Sequence, residues 1–452
     1  MALRTAEKGA KVRKIWVAMS TPFQANFFAP LIHELKRDYE FIVTAREHDN
    51  ITRILEAKGI DYIQVGKHGG RALSNKLEAY AEGIKSMIPI IEKRKPDLLL
   101  TERWPEAVRV AFGLNIPSWT IFYDERETHV NQMVFPLASR VYAPRFYTFQ
   151  QLASNGVADP DKVAWFNGFH TGYLKDSPPN EENPYKKLGI KSPLVFVRPE
   201  PEFASFFPSR EPILEKAVKQ IVKEDKASVA VLPRTETQRK RYSAMGVNML
   251  ESSMTESPVA HADVALGAAE TMLMEAFVLG KPAVSAIYWE ASRPVVELHR
   301  YIPHSTDPMK IAEYVHGYLD VDNQKAFSEK VSLIVKNMDN PVQLMIDGIR
   351  KLNEPRSEGA TFKRRSRLEI YLDIIQAASL QPLRPTQIMK EANISYNELR
   401  KLIENLEMRG LLRTETTFSG KYHQSTDAGL RLLEDYRSVK TRLFPGQSGA
   451  PL

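Results

Sequence analysis

From Lys14 onward the chain repeats one unit: a short apolar run, a polar turn, and a segment whose apolar residues recur every three or four positions. "KIWVAM" (14–19) precedes "NFFAPLIHELKR", where Phe27, Leu31 and Leu35 form a stripe that Phe28 and Ile32 widen. That pairing is a strand feeding an amphipathic helix. It recurs with "EFIVTA" (40–45) before a helix over 51–57, and with "DLLLTE" (97–102) before one over 105–112. "SWTIFYD" (118–124) and "RVYAP" (140–144) complete a first set of strands. A second set follows: "LVFVRP" (194–199), "ASVAVLP" (227–233), "VNML" (247–250), "DVALG" (263–267) and "PAVSAIY" (282–288). Alternation of this kind predicts mostly parallel sheets covered on both faces, an α/β chain with two Rossmann-like lobes.

Punctuation divides the 452 residues further. "KDSPPNEENPYKKLGIKSP" (175–193) reads as a connection between lobes, and a helical stretch from 308 to about 352 closes the second one. "NEPRSEGATFKRRS" (353–366) is a polar linker. Beyond it the pattern changes to three helices, two strand-like arms about a Ser-Gly turn, and a last helix, the order of a winged helix-turn-helix domain. Ser395 with Glu398 suggests a capping box on the third helix. The expected organisation is a tail at 1–13, lobes at 14–180 and 181–352, the linker at 353–366, a winged helix at 367–440 and a tail at 441–452.

Composition narrows the function classes. No apolar run reaches the ~20 residues of a membrane-spanning helix, so integral membrane association is not expected. The first residues are polar and basic, without the apolar core of a secretory signal. Zero cysteines exclude disulfides and thiolate metal sites, which fits the cytoplasm, and the ten histidines show no metal-ligand spacing. Neither a metal nor a required cofactor is expected. The net charge is +7, and residues 361–452 hold 15 Lys and Arg against 10 Asp and Glu, most of that excess. A polyanionic partner is therefore expected at the C-terminal domain.

In open parallel sheets, ligands bind beyond the carboxyl ends of the strands. Arg198 and Arg234 follow strands of the second lobe and suit a phosphate, since guanidinium groups match phosphate oxygens. Gln24, Asn26, Asp124, Glu125 and His129 follow strands of the first lobe. Of these, Asp124, Glu125 and His129 have the chemistry of a general acid or base. "GKHGG" (66–70) reads as a plain turn.

Several stretches together resemble domain-of-unknown-function family 354, a GT-B-like group related to UDP-N-acetylglucosamine 2-epimerases and nucleotide-sugar glycosyltransferases. They are "TPFQANFFAPLIHEL", "VTAREHDNITRILEAKGIDY", "VGKHGG", "KPDLLLTE", "EAVRVAFGLNIPS", "NGFHTGYL", "FVRPE", "LPR" and "GAAETMLMEAFVLGKPAVS". The resemblance implies a cleft between two lobes that holds a nucleotide-sugar of the UDP type. It also implies that Gly267 to Thr271 lie against the diphosphate while Glu275 accepts the ribose hydroxyls. Family members carry a Gly-Gly pair where this chain has Ala269 and Glu270, which puts a negative charge beside the expected diphosphate.

The C-terminal segment resembles archaeal winged-helix DNA-binding domains. The resemblance implies that Asn397, Arg400 and Lys401 of the third helix, with Arg413 and Lys421 of the hairpin, face double-stranded DNA, and that a homodimer forms. Glu398, Glu404 and Glu407 make that helix mixed in charge. The sequence supports a metabolite-responsive DNA-binding regulator, and as its alternative a glycosyltransferase or sugar epimerase with the winged helix as an accessory module.

Overall fold

The computed structural model describes residues 13–443 apart from 48–49, 71, 180, 203–206, 208–211, 252–254, 256, 289–290, 354–366, 380, 393, 395 and 418–419. The tails, the linker and the Ser395 cap expected from sequence therefore lie wholly or largely outside the described residues, as does the Asn397 side chain. The chain divides into two units at residue 354.

The first unit contains two parallel sheets. Strands β1 (Lys14–Met19), β2 (Glu40–Glu47), β3 (Ile63–Lys67), β4 (Leu98–Thr101), β5 (Ser118–Ile121), β6 (Arg140–Pro144) and β7 (Val163–Phe166) form a seven-stranded sheet in the order β3-β2-β1-β4-β5-β6-β7. Strands β8 (Leu194–Arg198), β9 (Ser228–Val231), β10 (Asn248–Met249), β11 (Val264–Gly267) and β12 (Ala283–Ser285) form a five-stranded sheet in the order β10-β9-β8-β11-β12. Every pair in both is parallel.

Central strands are apolar on both faces because helices cover both. Ile15, Val17 and Met19 of β1 enter one core, whereas Trp16 and Ala18 enter the core on the opposite face. β3 and β7 are edge strands that the reading of the sequence passes over. Each is only partly buried; β3 breaks its apolar run with Gln64, Gly66 and Lys67, whereas β7 is an apolar run of four residues, Val163–Phe166. The "GKHGG" segment begins as the end of β3, with Gly66 and Gly70 at φ +64° and +71°.

The helix Pro341–Asn353, expected in the second lobe, packs instead on the helix Pro22–Leu35 of the first. Arg350 pairs with Glu34 at 2.9 Å, and Asn353 Nδ2 donates to the Tyr39 hydroxyl at 3.1 Å. The chain thus crosses back from the second lobe to finish on the first.

The second unit has helices Arg367–Ala377, Pro385–Glu391 and Tyr396–Met408, an antiparallel hairpin of β13 (Leu412–Thr417) and β14 (Gly420–Ser425), and a last helix Asp427–Leu443. Its own core gathers Leu372, Ile375, Ile388, Leu402, Leu406 and Leu433. This is a winged helix-turn-helix domain.

Candidate functional site

A cleft of about 1320 Å³ lies between the lobes, lined from the first by the turn after β1 and from the second by the ends of β8, β9 and β11. That volume exceeds the ~300–1,000 Å³ of small-molecule pockets. It can hold an extended ligand.

On the second lobe, Arg198 closes β8 and its Nη1 donates to the carbonyls of Leu232 and Pro233 at 2.9 and 3.3 Å. Arg234 follows β9, and its Nε donates to the Pro199 carbonyl at 3.0 Å. Both line the cleft, held by backbone carbonyls at the carboxyl edge of the sheet. Gly267 ends β11. A Cβ there would stand 2.3 Å from Met272 Cε, which would have to swing away, and 3.1 Å from the Arg198 carbonyl, so the backbones pack closely at the glycine.

Thr271 and Glu275 of the helix Glu270–Val278 also line the cleft. Burial pushes the Glu275 carboxyl up to about 7. Its charge therefore changes near neutral pH.

The first lobe contributes Asn26 and Phe23 to the lining. Gln24 does not join them. Its Oε1 accepts from the Ser20 N–H at 2.5 Å and its Nε2 donates to the Glu102 carbonyl at 2.8 Å, so it staples the ends of β1 and β4.

Near Phe23 lies a buried polar group. Glu102 and Arg103 follow β4, and Arg103 adopts φ +51°, the left-handed region that side chains other than glycine rarely enter. The guanidinium lies 4.1 Å from the centroid of the Tyr123 ring, meets Glu127 at 3.2 Å, and donates to Asn131 Oδ1 at 3.2 Å. His170 also stacks on that ring, with its centroid 4.4 Å from Tyr123 and 5.1 Å from Phe23. Burial first, then the Arg103 charge, pushes the imidazole down to about 3. Among the described residues neither of its ring nitrogens has a hydrogen-bond partner. Burial raises the Glu102 carboxyl, offset in part by Arg103 and by the Tyr123 hydroxyl.

The turn after β5 joins the lobes. Arg126 donates to both oxygens of Asp124, Nε to Oδ1 at 3.0 Å and Nη2 to Oδ2 at 2.8 Å, and reaches Glu270 Oε1 of the second lobe at 2.7 Å. Burial alone would raise the Asp124 carboxyl, but the Arg126 bonds outweigh it and hold it below the usual range. Glu125 accepts from the Tyr147 hydroxyl at 2.5 Å and from the Arg293 N–H at 2.8 Å. The negative charge that the sequence places at Glu270 is therefore met by an arginine from the opposite lobe.

The structure brings Asn26, Arg198, Arg234, Thr271 and Glu275 around one cleft. Asp124 and Glu125 sit in the lobe junction instead, and His129 is exposed on the helix Thr128–Val134. Sequence reasoning missed Glu102, Arg103, Tyr123, Arg126 and His170. The first two stand at a strand's carboxyl end in "DLLLTE" and its successor, where the same rule that selected Arg198 applies.

In the winged helix, Arg400 and Lys401 are exposed on the helix Tyr396–Met408, and Arg413 and Lys421 are exposed on the hairpin. Arg413 Nη2 donates to Gln424 Oε1 at 2.5 Å. His423 of the hairpin is buried: its Nδ1 lies 2.6 Å from Thr414 Oγ1 and 3.5 Å from Glu407, tying wing to helix. Among the described residues no cluster of three or more metal-ligand side chains occurs, and no helix is long and apolar enough to cross a membrane.

Comparison with known proteins agrees with this architecture. Residues 13–354 match the family described as protein of unknown function DUF354, and residues 364–443 match a winged helix-turn-helix family. An uncharacterized protein of Methanocaldococcus jannaschii is 26% identical over 348 residues, covering 74% of this chain and 97% of that protein. Among solved structures, the UDP-GlcNAc 2-epimerase of Neisseria meningitidis bound to UDP-GlcNAc superposes with a TM-score of 0.53 at 16% identity, over 75% of this chain and 100% of that one. The M. jannaschii UDP-GlcNAc 2-epimerase, in complex with UDP-GlcNAc and UDP, gives 0.53 at 14% identity, over 75% and 98%. A glycosyltransferase of Rickettsia africae gives 0.50 at 12% identity, over 76% and 100%. At these identities the likeness shows a GT-B-like fold.

Proposed function

The chain belongs to the family of proteins of unknown function DUF354, and on that premise we propose that its cleft recognises a nucleoside diphosphate sugar of the UDP type while its winged helix binds duplex DNA. The protein is then a metabolite-responsive regulator acting in the cytoplasm. The observation that carries the ligand half is the grouping of Arg198, Arg234, Thr271 and Glu275 around one cleft. Arginines pair with phosphate oxygens, and a carboxylate accepts two hydroxyl bonds from a ribose. The UDP-GlcNAc bound in the structural neighbours supports the same ligand class.

The exposed Arg400, Lys401, Arg413 and Lys421 support the DNA half. In winged helices of this order the third helix enters the major groove and the wing meets the backbone. A homodimer would present two such helices about one helical turn apart.

The test is calorimetry of the full chain against UDP-, GDP- and dTDP-sugars, followed by duplex binding at low and high salt with and without the ligand that binds. A sugar nucleotide that binds and alters duplex affinity supports the reading. Absence of binding above millimolar affinity, or duplex binding insensitive to salt, contradicts it.

One observation favours an enzymatic reading as well. The buried Glu102, Arg103 and His170 and the partly buried Tyr123 stand at the carboxyl edge of the first sheet, and strongly perturbed titratable groups in such places accompany catalysis. Incubation with UDP-GlcNAc, followed by nuclear magnetic resonance, separates the two. Release of UDP or of a 2-epimer identifies an enzyme, and unchanged substrate identifies a sensor.

A further inference from the structure

The carboxylate of Glu270 is bound at both oxygens by donors from different parts of the fold. Oε1 accepts from Arg126 Nη2 of the first lobe at 2.7 Å, and Oε2 accepts from Ser292 Oγ of the second lobe at 2.7 Å. Arg126 is separately satisfied by both oxygens of Asp124. One carboxylate therefore balances the guanidinium, and Glu270 is a second negative charge drawn into the same junction. Burial raises the Glu270 carboxyl, the Arg126 charge lowers it, the Asp124 charge raises it again, and the bonds from Ser292 and Arg126 lower it.

A guanidinium and a hydroxyl converging on two oxygens of one anion are the donors that a phosphate takes. Glu270 also borders the cleft beside Ala269 and Thr271. Its side chain is about one-fifth exposed and stands on the first residue of its helix.

We propose that Arg126 and Ser292 form an anion site across the lobe junction, that Glu270 occupies it in the empty protein, and that a phosphate group of the cleft ligand displaces Glu270 from it. The identity of that anion rests on the nucleotide-sugar reading above. The exchange leaves the Arg126 charge paired throughout, because one anion replaces another. A ligand held by Arg126 from one lobe and Ser292 from the other also bridges the lobes. Glu270 then acts as an internal competitor that sets how tightly a phosphate must bind before the junction yields.

Full-length protein titrated calorimetrically with inorganic pyrophosphate, and separately with UDP, tests this. Glu270→Ala should tighten pyrophosphate binding about tenfold or more, the equivalent of about 1.4 kcal/mol. The double variant Glu270→Ala with Arg126→Ala should lose that gain. Glu270→Gln, which keeps the shape, replaces alanine if the alanine variant fails to fold. Unchanged or weaker pyrophosphate binding in a folded Glu270 variant, or a gain that survives loss of Arg126, overturns the proposal. If pyrophosphate binding tightens as expected but no variant binds UDP, the anion site stands and the nucleotide reading fails.

Discussion

The guanidinium of Arg103 lies 4.1 Å from the centroid of the Tyr123 ring, in a pocket where it also meets Glu102 at 3.8 Å and Glu127 at 3.2 Å. Arg103 is 7% exposed and Glu102 is 3% exposed, so removing the cation strands a buried carboxylate. Arg103→Ala should cost about 3–5 kcal/mol in denaturant unfolding. A loss below about 1 kcal/mol would show that Glu102 is neutral or solvated in the fold.

His170 makes an opposite kind of prediction, in pH. Its imidazole is pushed down to about 3 by burial and Arg103, whereas the unfolded chain takes up that proton near 6.5. Between those values the unfolded state binds more protons, so the His170 contribution weakens the fold as pH falls from about 6.5 toward 3, by about 1.4 kcal/mol per unit. His170→Phe keeps a ring between Tyr123 and Phe23 and should remove this acid-side slope. Unfolding free energies measured from pH 7 to 5 in both proteins check it; equal slopes would contradict it.

Gly348 marks where the returning helix meets the first sheet. A Cβ there would stand 2.9 Å from the Tyr142 hydroxyl and 3.1 Å from the Trp119 ring. Gly348→Ala should lower stability by about 1–3 kcal/mol through overpacking, read as a fall in melting temperature. An unchanged melting temperature would mean that the helix Pro341–Asn353 can shift outward freely.

Arg400 and Lys401 are exposed side by side on the third helix of the winged domain. Replacing each with Ala should weaken duplex binding and reduce the slope of log affinity against log salt by about 0.9 for each phosphate no longer neutralised. Weaker binding with an unchanged slope would assign these residues to something other than phosphates.

Much of the fold was legible because central strands carry their own signature. β1, β4, β8, β9 and β11 are short apolar runs, each followed by a turn and a helix, and periodicity identifies such units. β3 escaped because an edge strand pairs on one side and tolerates polar residues, here Gln64 and Lys67, whereas the apolar run Val163–Phe166 of β7 was legible and was passed over. The cleft lining was legible where one strand end or the helix after it supplies one residue, as with Arg198, Arg234 and Glu275. It was illegible where the meaning of a residue depends on the opposite lobe. Glu270 read alone is a charge in the wrong place, and only Arg126, 144 positions earlier, explains it. Gln24 and His423 show the same limit from the other side, since polar side chains near an expected interface proved to be internal staples.

The proposed nucleotide-sugar binding in the cleft depends on Glu275, whose carboxyl is pushed up to about 7. An ionised carboxylate accepts a hydroxyl at each oxygen more strongly than the neutral acid, one of whose oxygens carries a proton, so affinity for UDP-GlcNAc should rise from pH 6 to pH 8 as Glu275 loses its proton. Calorimetric titration of the full-length protein with UDP-GlcNAc at both pH values, beside Glu275→Gln, reads this out. The native protein should bind about tenfold more tightly at the higher pH, and the variant should bind more weakly with less dependence on pH. Absence of binding at either pH, or a Glu275→Gln variant that binds as tightly as the native protein at pH 8, would contradict a nucleotide-sugar held by this carboxylate.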